Sequence, residues 1–315
     1  MRRLRILTWH VHGNYLYYLT RAPHDFYLVT DAERSVHHTG RSGRLPWGDN
    51  VHEAAADRIG AMQFDVVLFQ SRLAWESEQY QLLSPAQMCL PRIYLEHDPP
   101  QEHPTNTRHW VDDAQTLLVH VTPFNALMWD SGATPTRVIE HGVAPLVEAR
   151  HRGELDSGLV VVNNLDQRGR RLGADVYETV RRQVPLVLYG MGADRIPGGM
   201  GEAAHDVLPG LMASHRFFFN PIRYTSLGLS VVEAMMVGMP IAGLATTELP
   251  TVIVNGENGH VDTRLDRLVE VMRRWVRDPA EARRLGDAAR RTAQERFGIG
   301  RFVADWSDAL ASVAM

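Results

Sequence analysis

The sequence predicts an α/β protein built from two Rossmann-like domains, each a parallel sheet layered with helices. Three observations predict this. The chain has 315 residues, more than a single hydrophobic core ordinarily holds, so two domains of roughly 150 residues are expected. Short apolar runs recur between turn residues, and their hydrophobicity is continuous rather than alternating, as in strands buried on both faces. Stretches long enough for a helix separate several of these runs, the rhythm of a parallel sheet.

In chain order, the first half offers strands at residues 4–8, 25–30, 64–70, 92–96, 117–122 and 137–140. The segment 37–49, rich in Gly, Arg and Ser, reads as a loop, either bordering a cleft or simply crossing the surface. After Gly142 a polar stretch over 148–157 breaks the pattern and marks the domain boundary. Leu159-Val160-Val161-Val162 restarts it, with further strands at 186–189, 217–219 and 240–245 and helices at 175–184 and 231–237. Leu265, Leu268, Met272, Trp275 and Val276 have helical spacing, and Pro279 stops that helix before another over 280–296. A last helix is expected over 301–313. The domains are therefore set at 1–150 and 155–295, with 296–315 as a C-terminal helix.

Composition bounds the function. Hydrophobic residues make up 44% and charged residues 22%, and the mean hydropathy is −0.23, all ordinary for globular proteins. A formal charge of −4 provides no field for a polyanion, so no nucleic-acid partner is expected. The single cysteine, Cys89, excludes an internal disulfide and a thiolate zinc site and points to a reducing, cytoplasmic compartment. The apolar stretch near the N-terminus is too short for a signal peptide. No run reaches the ~20 apolar residues of a membrane span, and peripheral contact at the inner membrane face stays open.

The most informative stretch is Asn220-Pro-Ile-Arg-Tyr-Thr-Ser-Leu-Gly-Leu-Ser-Val-Val-Glu-Ala-Met-Met-Val-Gly-Met-Pro240. A strand ends at Phe219, a loop with Gly228 follows, and a helix carrying Glu233 leads to Gly238 and Pro240. Free N–H groups at such a helix N-terminus suit a pyrophosphate, and a carboxylate one turn inward suits ribose hydroxyls. The same residues also read as a dipole-favouring glutamate and a turn-closing glycine.

Elsewhere, His10-Val-His12-Gly13-Asn14 follows the first strand. Two histidines one residue apart share a face and suit a metal, but no nearby carboxylate or cysteine completes such a site, and none is expected. Gly13 lets backbone approach a phosphate or sugar. Glu96-His97-Asp98-Pro99-Pro100 puts polar groups where a strand opens into a cleft, or else forms a rigid turn capped by Asp98. Gly190-Met-Gly192 lacks the third glycine of a dinucleotide fingerprint. The chain has no Asp-x-Asp, Gly-x-Ser-x-Gly or Walker pattern.

The 220–240 string resembles the signature of glycosyltransferase family 4, in which Pro-Ser-x-x-Glu-Gly-Phe-Gly-Leu leads to Glu-Ala-Met-Ala-x-Gly-x-Pro. The likeness continues through Ala245-Thr-Thr-Glu-Leu-Pro and Asn255-Gly-Glu-Asn-Gly-His. It is specific over 158–297 and looser before. The resemblance implies a GT-B fold, with two Rossmann-like domains facing each other across a cleft and the last helix returning to the first domain. It implies retaining, metal-independent transfer of a sugar from a UDP- or GDP-sugar to a glycan or lipid-linked acceptor, with no cofactor.

It also implies roles. Glu233 matches the ribose-binding glutamate, and the Ser226, Leu227, Gly228 and Leu229 backbone faces the diphosphate. Thr225 stands where the family has a sugar-contacting glutamate. Asn163-Asn-Leu-Asp-Gln-Arg168-Gly-Arg-Arg171 resembles the family's Gly-Arg-Leu…Lys-Gly loop. Arg168 there replaces the lysine, Asn164 an arginine, and Arg170 or Arg171 makes up the lost charge. Gly190 belongs to a turn similar to the donor domain's Val-Gly-x-Gly. Gly13 and Asn14 fall on the donor side, and His10 and His12 on the acceptor side. His97-Asp98 resembles the segment whose histidine contacts the transferring sugar, so His97, Asp98 and Arg168 are the catalytic candidates. Glu140-His141-Gly142-Val143 is similar to the Asn-Gly-Val closing the first domain. A GT-B epimerase and a non-catalytic sugar-nucleotide-binding subunit are the alternatives.

Overall fold

The strands in chain order are β1 (Arg5–Thr8), β2 (Asp25–Thr30), β3 (Val51–Ala55), β4 (Val66–Phe69), β5 (Arg92–Glu96), β6 (Thr116–His120), β7 (Thr136–Val138), β8 (Leu155–Val161), β9 (Leu186–Tyr189), β10 (His215–Asn220), β11 (Ile241–Leu244) and β12 (Gly259–Asp262). The α-helices are α1 (Gly13–Leu19), α2 (Gln79–Leu82), α3 (Pro123–Met128), α4 (Ala174–Arg181), α5 (Leu208–Ser214), α6 (Leu229–Val237), α7 (Leu249–Val252), α8 (Leu265–Arg277), α9 (Pro279–Arg296) and α10 (Ile299–Val313). The computed structural model describes residues 2–11, 13–43, 45–146 and 149–314. The chain forms two compact units, one running to Gly142 and resuming at Ile299, the other spanning Val143–Gly298.

The first unit holds a seven-stranded sheet in the order β3-β2-β1-β4-β5-β6-β7, parallel throughout. Every residue of β4 is buried, the mark of a strand covered on both faces. Leu7, Trp9, Phe69, Tyr94 and Leu118 lead its core. Pro123 starts α3, and Thr122 caps it by accepting from the Asn125 N–H. α10 belongs to this unit: Trp306 Nε1 donates to Tyr15 Oη at 3.2 Å, and a Cβ on Gly142 would lie 2.1 Å from that of Phe302.

The second unit holds a five-stranded parallel sheet in the order β12-β11-β10-β8-β9, a doubly wound arrangement whose order reverses between β8 and β10. β10 and β11 are wholly buried, and Phe217, Phe219, Met272 and Trp275 fill the core. Gly158 admits the Phe217 ring, which would lie 2.2 Å from a Cβ there. Asp278 caps α9 by accepting from the Ala280 and Glu281 N–H groups, with Pro279 in its first turn.

Several elements differ from expectation. β3 and β12 escaped notice because each is an edge strand of four or five residues without an apolar run. Gly13 and Asn14, placed from sequence only as following the first strand, open α1, whose residues 15–19 are all buried. That helix has no polar face and therefore no amphipathic signal. β8 begins at Leu155, inside the stretch taken as a polar boundary. The units divide at Gly142/Val143 and Gly298/Ile299. Among the described residues no helix is long and apolar enough to cross a membrane.

Candidate functional site

In the second unit the motif residues gather at the carboxyl ends of β8 and β10, where open α/β sheets bind ligands. The loop after β8 is anchored on the end of β9: Asn163 Oδ1 accepts from Met191 N at 2.9 Å, and Asn164 N donates to Met191 O at 2.8 Å. Gly190, assigned to the donor from sequence, is explained by packing. Its φ is +143°, and a Cβ would lie 2.3 Å from Val162 O, so this glycine is required with or without a ligand.

Farther along, the loop docks on the one after β10. Arg223 N donates to Arg171 O at 2.9 Å, and Arg223 Nη1 to Arg170 O at 2.8 Å. Arg223 grips Asp175 with both terminal nitrogens, at 2.6 and 2.8 Å, which holds the Asp175 carboxyl below its ordinary value. Arg170 reaches the same carboxylate at 3.0 Å, so its charge is already engaged. Arg168 is exposed and takes part in none of the hydrogen bonds or ion pairs among the described residues. Sequence reasoning missed Arg223 and Asp175. Arg223 lies inside the signature string, but nothing local marked Asp175 as its partner.

Gly228 caps the N-terminus of α6 with no side-chain hydrogen bond. Its φ of −64° suits any residue, and a Cβ there would find its nearest neighbour at 3.8 Å. Neither backbone nor packing demands glycine at this position. The space in front of the uncapped N–H groups is what a side chain would take. Ser230 Oγ ties the helix start to Val161 O at 3.3 Å. Glu233 is buried on α6 at 5% exposure. Thr225, Ser226, Gly228 and Leu229 are half-buried, whereas the Leu227 side chain is in the core and has only backbone to offer. Thr247, beyond β11, has φ +52°, a strained value for a β-branched residue, and was not singled out from sequence.

In the first unit the sheet order reverses between β1 and β4, and there too the candidates sit at carboxyl ends. Gln70 links three strands: its Nε2 donates to Thr8 Oγ1 at 3.0 Å and Trp9 O at 2.8 Å, and its Oε1 meets His97 Nε2 at 3.2 Å. Because Oε1 accepts, His97 Nε2 carries the proton. Asn125 Nδ2 donates to His97 O at 3.2 Å, and the Tyr15 ring stands edge-on to the imidazole at 4.9 Å.

The His97-Asp98 turn is fastened by Glu96 rather than by Asp98. Asp98 N donates to Glu96 Oε1 at 2.9 Å, and Trp129 Nε1 donates to Asp98 O at 2.8 Å. The other Glu96 oxygen meets His109 Nε2 at 3.0 Å. His109 Nδ1 accepts from Val111 N at 3.0 Å, so the neutral ring donates from Nε2 to Glu96. Burial pushes the Glu96 carboxyl up to about 8 and pulls His109 down to about 4.

His10 lies at the end of β1 with Nδ1 2.7 Å from Gly40 O and 3.1 Å from Ser42 Oγ, and the Trp47 ring edge-on at 5.4 Å. The 37–49 segment thus packs on the candidate residues. A Cβ on Gly13 would lie 3.1 Å from His10 Nε2. His12 lies outside the described residues. Among these, no three His, Cys, Asp or Glu side chains gather as a cation site. A cavity of about 460 Å3 lined by Arg3, Arg21, Asn50 and neighbours opens at the opposite, amino-terminal edge of the sheet and contains none of the candidates.

The structure is similar over nearly its whole length to known GT-B proteins. Sucrose-phosphate synthase from Thermosynechococcus elongatus matches with a TM-score of 0.72 at 18% identity, covering 99% of each chain. HepE of Anabaena, in complex with UDP and glucose, matches with a TM-score of 0.69 at 15% identity, covering 98% of this chain and 100% of that one. The fold is therefore GT-B, with two Rossmann-like units. Within that class, residues 200–292, inside the second unit, match the family described as glycosyl transferases group 1. A curated relative, the MMP α-(1→4)-mannosyltransferase of Mycolicibacterium hassiacum, is 31% identical over 182 residues, 55% of this chain and 41% of the relative. The match thus spans less than half the length of that relative.

Proposed function

We propose that the chain is a retaining glycosyltransferase of the family 4 type that moves a sugar from a UDP- or GDP-sugar to an acceptor hydroxyl without a metal ion. The observation that carries this reading is the uncapped start of α6 at Gly228, where packing does not require a glycine, on the same sheet edge as Arg168, whose side chain pairs with none of the described residues. HepE has been crystallised with UDP-glucose and the curated relative is named a mannosyltransferase, which supports a hexose donor.

In this mechanism the bond between the anomeric carbon and the β-phosphate oxygen breaks, and its electron pair leaves with the nucleoside diphosphate. The growing charge meets Arg168 and the Gly228–Leu229 N–H groups, which are preorganised donors. Glu233 accepts from the ribose hydroxyls. His97 and Asp98 orient the sugar. The acceptor oxygen bonds to the oxocarbenium-like carbon on the face the diphosphate left, and its proton passes to the departing phosphate. Thr225 has no carboxylate to act as a nucleophile, which favours this course over double displacement. The acceptor belongs to glycan, glycolipid or polysaccharide synthesis in the cytoplasm or at the inner membrane face.

Incubation with radiolabelled UDP-glucose or GDP-mannose and a panel of glycan and lipid-linked acceptors tests the proposal. Labelled product with retained anomeric configuration is expected. Tight donor binding with no cleavage over the whole panel would favour the non-catalytic alternative, and an altered stereocentre without acceptor would favour the epimerase.

A further inference from the structure

The environment of His10 specifies more than a place at the end of β1. The ring is buried at 8% exposure, and burial lowers its pKa, so at neutral pH it carries a single proton. Gly40 O, which only accepts, stands 2.7 Å from Nδ1 and fixes that proton on Nδ1. Nε2 is left as a bare acceptor. Both hydrogen-bond contacts of this ring are at Nδ1, Nε2 is not sealed from solvent, and His10 has no further interaction among the described residues. Beside it Gly13 leaves room that a side chain would fill, since a Cβ there would stand 3.1 Å from Nε2.

Gly40 and Ser42 thus meet the ring at Nδ1 and Trp47 stands edge-on to it, while Nε2 lies beside Gly13 and is not sealed from solvent. A loop built around a histidine in this way sets a tautomer. A tautomer matters where the other nitrogen has a partner to recognise.

We infer that His10 Nε2 accepts a hydrogen bond from a sugar hydroxyl and so acts as a substrate-orienting residue. This deepens the glycosyltransferase reading and rests on it. The hydroxyl belongs to the acceptor or to the donor sugar, and the two sources are separable. A site built to accept from a hydroxyl rejects a ligand lacking it, because the acceptor is then left unpaired.

The test is imidazole 15N NMR of the whole protein, with His10 assigned by its loss in His10→Asn. That variant retains a side-chain N–H for Gly40 O and lacks an atom at Nε2. At pH 7.5 Nε2 should show the unprotonated, pyridine-type shift; a protonated Nε2 overturns the inference before any ligand is added. Methyl α-D-glucopyranoside and methyl α-D-mannopyranoside are then titrated in one arm, and UDP, GDP, UDP-glucose and GDP-mannose in another. An Nε2 shift with a methyl glycoside but not with UDP or GDP identifies an acceptor hydroxyl. A shift with a nucleotide sugar but not its nucleotide identifies the donor sugar. In the matching steady-state assay His10→Asn should raise KM for that substrate about tenfold, with the other KM unchanged and His10→Gln, which restores an acceptor near Nε2, recovering most of the loss. If nucleotides raise the melting temperature yet Nε2 moves with no sugar, the inference fails while the glycosyltransferase reading stands. If no nucleotide or nucleotide sugar raises it, that reading fails and takes the inference with it.

Discussion

A Cβ placed on Gly173 would lie 2.0 Å from the carbonyl oxygen of Pro221. This close approach, together with the Arg223 bonds to Arg170 O and Arg171 O, holds the loop after β8 against the loop after β10, the two segments that carry Arg168 and Gly228. The φ of Gly173, +80°, is one that other residues rarely adopt. Gly173→Ala should therefore destabilise the protein by more than about 1 kcal/mol and weaken UDP or GDP binding as well. Denaturant unfolding with and without nucleotide measures both. Unchanged stability would mean that the loops do not depend on this contact.

Gly228→Ala makes the opposite prediction. The backbone there is ordinary and the new methyl has space, so the melting temperature without ligand should stay where it is. Nucleotide affinity should fall, because the methyl occupies the approach to the α6 N–H groups. A fall in both would make Gly228 a structural glycine.

The arginines of the loop after β8 should not be equivalent. Arg168→Gln is expected to lower kcat/KM about a hundredfold or more, the effect of removing one preorganised donor to a leaving group, with no change in melting temperature. Arg170→Gln should cost much less, because its guanidinium is already paired with Asp175. Equal losses would contradict the assignment of the leaving-group cation.

Glu233→Gln should weaken UDP or GDP binding about tenfold to a hundredfold, the range for hydrogen bonds to a charged group, and should leave binding of inorganic pyrophosphate unaltered. Calorimetry with each ligand separates the two.

The Glu96–His109 pair predicts a pH dependence. Glu96 is raised from 4.5 to about 8, so between those values the folded state binds the extra proton and stability falls as pH rises. His109 is lowered from 6.5 to about 4, so between those values the unfolded state binds the extra proton and stability rises with pH. The two oppose each other from pH 4.5 to 6.5. From 6.5 to 8 only Glu96 acts, and it should remove on the order of 2 kcal/mol. Urea unfolding of wild type and Glu96→Gln across that window should show the slope in the former alone, whatever the baseline stability of the variant.

The sequence exposed what depends on local pattern. Buried central strands show as continuous apolar runs, β4 throughout and β10 over Phe217–Phe219, and the Asn220–Pro240 string was legible because its turn, helix start and glycines are consecutive. Edge strands β3 and β12 have too little apolar surface to signal themselves, and α1 is buried all round. The site's cross-links were illegible for a different reason. Arg223 with Asp175, Gly173 with Pro221, and Glu96 with His109 each join segments that only the fold brings together. Residue type alone also could not tell two glycines apart. Gly190 and Gly228 are both glycines in loops at strand ends, yet the first is demanded by Val162 O and the second by no contact among the described residues.

Backbone amide NMR with UDP, uridine and inorganic pyrophosphate tests most directly whether the start of α6 holds a diphosphate. UDP and pyrophosphate should shift the Gly228, Leu229 and Ser230 amide resonances strongly, and uridine should leave them nearly still. Shifts confined to other loops, or equal shifts with UDP and uridine, would contradict it.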